Sequence, residues 1–105
     1  MNKVVLMGRL TKDPDVRSAN GKTVTTFTLA VDRPFSKTKE ADFIPIVLWE
    51  RTAEIVGTSC KKGHRLLVEG RLQVRSFDSN GAKKWVTEVI GNNVEFIEKK
   101  EEITL

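Results

Sequence analysis

The run Phe43-Ile44-Pro45-Ile46-Val47-Leu48-Trp49 is apolar throughout, and both of its aromatic residues fall at odd positions. As a strand it points alternate side chains to opposite faces, so Phe43, Pro45, Val47 and Trp49 share one side and Ile44, Ile46 and Leu48 the other. The aliphatic side reads as core. The aromatic side has two readings: both rings fill the core, or they form a surface on which planar groups stack. Pro45 has no N–H to give a ladder, so the strand has an edge position, a bulge or an interrupted ladder there.

Upstream, Lys3 to Leu10 alternates as a strand, with Gly8 marking a bulge or bend, and Asp13-Pro14-Asp15 breaks it. Asn20-Gly21 signals a turn into a β-branched run, Thr23 to Val31, which carries Thr25, Phe27, Leu29 and Val31 on one face. Arg33 to Asp42 reads as a loop. Downstream, Thr52 is the expected cap of a short helix with Ala53, Val56 and Cys60 on its inner side, and Lys61-Lys62-Gly63 is its stop. Arg65 to Phe77 alternates again, Ser79-Asn80-Gly81 turns the chain, and Lys84 to Ile90 returns as a hairpin arm. A last strand is expected over Asn93 to Ile97, before a charged tail at 98–105. Three strands, a helix between strands 3 and 4, then further strands make an all-β chain with the element order of the OB-fold, a five-stranded Greek-key barrel. Its long hairpin lies around Asn80-Gly81. That architecture binds oligonucleotides, oligosaccharides and proteins alike, so it does not set the function.

A chain of 105 residues holds one core. The 18 Lys and Arg against 14 Asp and Glu, a formal charge of +4, favour an anionic partner. One cysteine and one histidine support neither an internal disulfide nor a zinc site, which points to a reducing cytoplasm and a metal-free, cofactor-free fold. No apolar run approaches the ~18 residues of a membrane span.

Arg71, Gln73, Arg75 and Phe77 sit two apart on one strand face, and the facing arm supplies Lys83, Lys84 and Trp85. Together they read as one strip able to pair with phosphates and stack unpaired bases, or as a solvated face whose charges discourage edge pairing. Phe35, between Arg33 and Lys37, is either a further stacking ring or a loop anchor; Phe27 reads as core. Catalysis finds little support. Ser59, Cys60 and His64 lie close in sequence but lack a third orienting group and a nucleophile elbow, and Asp13 and Asp15 read as turn formers around Pro14.

The block Asn2 to Arg17 with its Gly8-Arg9-Leu10-Thr11-Lys12-Asp13-Pro14, then Thr28-Leu29-Ala30-Val31, Val47-Leu48-Trp49, Ala53-Glu54, Lys62-Gly63, Val68-Glu69-Gly70-Arg71-Leu72 and Thr87-Glu88-Val89 closely resemble the bacterial single-stranded DNA-binding protein family. The match spans roughly residues 2 to 97. The resemblance implies an OB barrel at 1–97, assembled as a homotetramer, a dimer being the alternative. It implies a non-enzymatic protein that binds and protects single-stranded DNA in replication, recombination, repair or DNA uptake. It places base stacking on Phe35, Phe43, Trp49, Phe77 and Trp85, and phosphate contacts on Lys3, Arg9, Arg17, Arg33, Arg71, Arg75 and Lys84. The competing reading is an OB protein-interaction module of a replication complex whose aromatic face is an interface. Members of the family typically continue through a disordered linker to an acidic tip that recruits other proteins. Glu101-Glu102-Ile103-Thr104-Leu105 echoes that tip only faintly, so recruitment is not expected of it.

Overall fold

Asn20-Gly21 and Asn80-Gly81 both take left-handed backbone, with φ of 54° and 76° in the first pair and 52° and 77° in the second. This is the conformation that a two-residue type I′ hairpin loop requires, and it is the reason Asn-Gly turns a chain so reliably. The computed structural model describes residues 1–97, and the tail at 98–105 lies outside the described residues. In chain order it contains β1 (Val4–Leu10), β2 (Asp15–Ala19), β3 (Lys22–Asp32), β4 (Ala41–Trp49), α1 (Glu50–Ser59), β5 (Arg65–Ser79) and β6 (Ala82–Phe96).

The strands form one sheet in the order β1-β5-β6-β4-β3-β2, closed by pairing of β1 with β3 at Arg9–Ala30 and Leu10–Leu29. The ring therefore has the five positions the sequence predicts. β2 is an addition, paired to the first half of β3 along the same edge that β1 takes further on. Its five residues include one large apolar side chain, Val16, which is exposed, so alternation gives no signal for it. The Asn20-Gly21 turn is what folds it back on β3.

The core collects the inward residues of every strand: Leu10, Phe27, Leu29, Ile46, Leu48, Leu66, Val68 and Val89, closed at one end by Ala53, Val56 and Cys60 of the helix segment. Thr25 is buried among them and donates its hydroxyl proton to the Ala53 carbonyl at 2.7 Å, which ties the helix to β3 without leaving a buried polar atom unmatched.

β4 begins at Ala41, inside the expected loop, and the hairpin arms reach Ser79 and Ala82; the helix cap and the last strand differ more from expectation. Thr52 lies inside α1 and caps nothing; Trp49, with extended backbone, holds the cap position and makes no side-chain cap bond. Glu50 turns the chain from strand to helix in one step at φ 58°, leaving no room for a separate capping residue. At the other end, the segments read as two strands are one 15-residue strand, β6. Its register on β5 shifts between Glu69 and Gly70: Gly70 faces Gly91 and Glu69 faces Asn93, so Asn92 is the extra residue of a bulge. The bulge switches the inward parity from Val89 and Gly91 to Val94. Alternation broken in that way looks like a strand end in sequence. Gly70 is required here, since a Cβ on it would strike the Ile90 carbonyl, and a Cβ on Gly91 would force the buried Leu48 side chain to shift.

Candidate nucleic-acid interface

β4 fulfils its alternation. Ile46 and Leu48 are wholly buried and Ile44 packs partly against the core, while Phe43 and Trp49 keep 65% and 42% of their surface exposed. Pro45 takes the edge alternative. Its partner Thr28 directs its carbonyl to Thr11, away from β4. Pro45 is therefore a non-hydrogen-bonded position of that pair, and its missing N–H faces the side where β6 begins to pair only at Ile46.

Register carries the outer face of β4 across the sheet. Asp15, Thr26, Val47, Ile90 and Arg71 stand in one cross-strand row over β2, β3, β4, β6 and β5. Arg17, Val24 and Trp49 form a second row. A groove of about 300 Å³ opens on this face, lined by Val24, Thr26, Val47, Trp49, Gln73, Arg75, Glu88 and Ile90. Phe77, 45% exposed, continues the Arg71-Gln73-Arg75 face and is paired with Lys84. Asn2 clasps the backbone N–H and carbonyl of Leu72 at 2.9 and 2.8 Å, and Val4 faces Gly70, which leaves Lys3 level with Arg71. Lys3, Arg17, Trp49, Arg71, Arg75, Phe77 and Lys84 thus share one face, with Phe43 further along β4.

The hairpin strip itself divides. Trp85 pairs with Ser76 and Lys83 with Asp78, so both lie on the reverse of the ribbon from Phe77 and Lys84. There Lys83 Nζ stands 5.7 Å from the Trp85 ring centroid, within cation–π range. Phe35 is fully exposed at φ 65° in the loop between β3 and β4. Arg33 braces that loop, reaching Glu40 at 2.7 Å and Asp42 at 2.8 Å; the bond and charge of Asp42, with Glu40, push its pKa further up. Its charge is compensated by Glu40 of the loop and Asp42 at the start of β4. Arg9 pairs with Arg65, ten residues along β5 from Arg75, and donates to the Gly63 carbonyl, so it stands apart from the groove.

The cations of the face are unequal. Arg17 contacts Asp15 at 2.9 Å and Arg75 contacts Glu88 at 2.7 Å, whereas Lys3, Arg71 and Lys84 have no carboxylate in ion-pair range among the described residues. Glu88 is the feature that sequence reasoning missed. Its carboxylate is 5% exposed on a face otherwise suited to anions, and its bond and charge raise the Arg75 pKa. Counting outward from Asn80-Gly81 would have set it opposite Gln73.

Cys60 and His64 serve the fold. Cys60 is buried, and burial pushes its thiol pKa up, away from the reactive thiolate. His64 Nδ1 accepts from the Lys61 N–H at 3.2 Å. No helix among the described residues is long and apolar enough to cross a membrane.

The chain is 50% identical over 103 residues to the single-stranded DNA-binding protein 3 of Clostridium acetobutylicum, covering 93% of this chain and 72% of the relative. It is 48% identical over 103 residues to the single-stranded DNA-binding protein of Clostridium tetani, covering 93% and 71%. With that of Halalkalibacterium halodurans it shares 50% over 105 residues, covering 95% and 62%. The model of the single-strand binding protein family matches residues 1–97, the whole described barrel, and the chain belongs to that family.

Proposed function

We propose that residues 1–97 act as one barrel that binds single-stranded DNA without reading its sequence, and that it does no chemistry on the strand. The observation that carries this is the outer face itself, where Trp49 and Arg75 line one groove and Arg17, Arg71 and Lys3 lie in the cross-strand rows beside it. Exposed rings stack on any base, and cations answer phosphates whatever the bases are, so such a face takes single strands in general. A duplex hides its base faces and cannot use the rings.

In this reading Trp49, Phe43, Phe77 and Phe35 stack bases, each contributing on the order of 1 to 3 kcal/mol. Lys3, Arg17, Arg71, Arg75 and Lys84 contact phosphates. Arg33 serves by holding Phe35 out, and Trp85 and Arg9 meet DNA only where the strand wraps beyond the groove. The protection of exposed strands during replication, recombination, repair or uptake follows from that binding, in the cytoplasm. The chain also assembles with copies of itself, as a tetramer. Val4 to Met7 pair with β5 on one edge only, and Val5 and Met7 are exposed there, a strand edge open to a second copy.

Titrating oligo-dT at two salt concentrations, with a duplex of equal length as control, tests the reading. Tight binding to oligo-dT that weakens with salt, and much weaker binding to duplex, is expected. Equal affinity for both would refute it.

A further inference from the structure

Glu88 is a nearly buried carboxylate in a groove built for a polyanion, where it should weaken phosphate binding. Its contacts explain its presence. Oε1 accepts from Arg75 Nε at 2.7 Å and from Gln73 Nε2 at 3.4 Å, and Gln73 Oε1 in turn accepts from Arg71 Nη1 at 3.1 Å. Three side chains of β5 are thus strung from one anchor on β6.

We propose that Glu88 is a positioning residue for single-strand binding: it takes Arg75 by Nε, so that the two Nη groups are aimed outward as a fork for one phosphate, and it sets Gln73, and through it Arg71, along the groove. The inference rests on the single-strand reading of this face. Arg75 is held because releasing it would leave a buried carboxylate without compensation. About half of the Arg75 side chain remains exposed, and neither Nη group makes a hydrogen bond among the described residues. A guanidinium can serve both anions at once because its donors form a rigid fork, whereas a lysine ammonium, a single point of charge, cannot.

The test is oligo-dT affinity for the full chain and for E88A, E88Q, R75A, R75K, R75A/E88A and R75K/E88Q, with melting temperatures measured alongside. Charge alone predicts that E88A and E88Q both bind tighter. Positioning predicts that E88A binds about tenfold weaker despite losing a negative charge, while E88Q, which keeps an acceptor, stays at least as tight as the unaltered chain. R75K should fall to the level of R75A, its ammonium captured by Glu88, and R75K/E88Q should recover. E88A should cost much less in the R75A background, where only the hold on Gln73 is left to lose, whereas a merely structural role would be felt in full. E88A binding as tightly as E88Q, or R75K binding like the unaltered chain, would overturn the proposal, and R75K decides the matter if E88A does not fold. No binding by the unaltered chain would overturn the single-strand reading as well.

Discussion

Ile46 and Leu48 lose all their accessible surface, whereas Phe43 and Trp49, on the same strand and no less apolar, keep about half of theirs. The difference comes from what each face of β4 meets. Behind it stand Phe27 and Leu29 of β3 and Val89 of β6; in front stand Thr26 and Thr28 of β3, Ile90 of β6 and, across the groove, Arg75. Apolarity therefore does not separate a core residue from a binding residue, and register with neighbouring strands does. Substitutions on the two faces should fail in different ways.

The largest effect belongs to the inner face. Leu48→Ala should destabilise the barrel by about 2 to 5 kcal/mol, lowering the melting temperature by roughly 10 to 20 °C, because the buried site cannot refill the lost volume. Calorimetry checks it, and oligo-dT affinity measured well below the transition should change little. On the outer face, Trp49→Ala should leave the melting temperature within a few degrees and weaken oligo-dT binding by about 1 to 3 kcal/mol, or roughly 5- to 150-fold. An equal loss of both properties in both variants would erase the distinction.

The distal hairpin sharpens the comparison, since beyond the barrel both of its faces are exposed. Phe77→Ala should weaken binding by about 1 kcal/mol, and Trp85→Ala by less than half of that, in an equilibrium titration of each. Here ring size would favour Trp85, so the order reports the face on which each ring lies. The smallest effect is expected at the junction after Trp49. Glu50 sits at φ 58°, a region that costs a non-glycine residue about 1 to 2 kcal/mol, and glycine gives part of that back in chain entropy. Glu50→Gly should therefore raise stability by about 1 kcal/mol or less with DNA affinity unchanged, measured by denaturant unfolding.

Much of this was legible in the sequence, because alternation and Asn-Gly turns are local signals. The two faces of β4, the inward helix residues Ala53 and Val56 with Cys60 just after them, and both hairpin turns could be read directly. β2 could not, since strand pairing with no buried face leaves no pattern. The continuity of β6 was hidden by the bulge at Asn92, which resets the alternation. The site was readable as a set of residue types but not as a surface. Taking the facing arm as one strip puts Trp85 beside Phe77, while the two-residue turn, counted outward, puts them on opposite sides of the ribbon. Arg33 and Arg75 looked equivalent as cations until their partners, Glu40 of the loop with Asp42 at the start of β4 and the buried Glu88, told them apart.

The central claim is that the outer face of β4 takes bases against Trp49. The chain has two tryptophans, so Trp85→Phe leaves Trp49 as its single reporter. Titrating that variant with oligo-dT should quench most of its tryptophan fluorescence, at an affinity near that of the unaltered chain, with little response to duplex. Tight binding without quenching would contradict the account, because the strand would then be held without a base against Trp49.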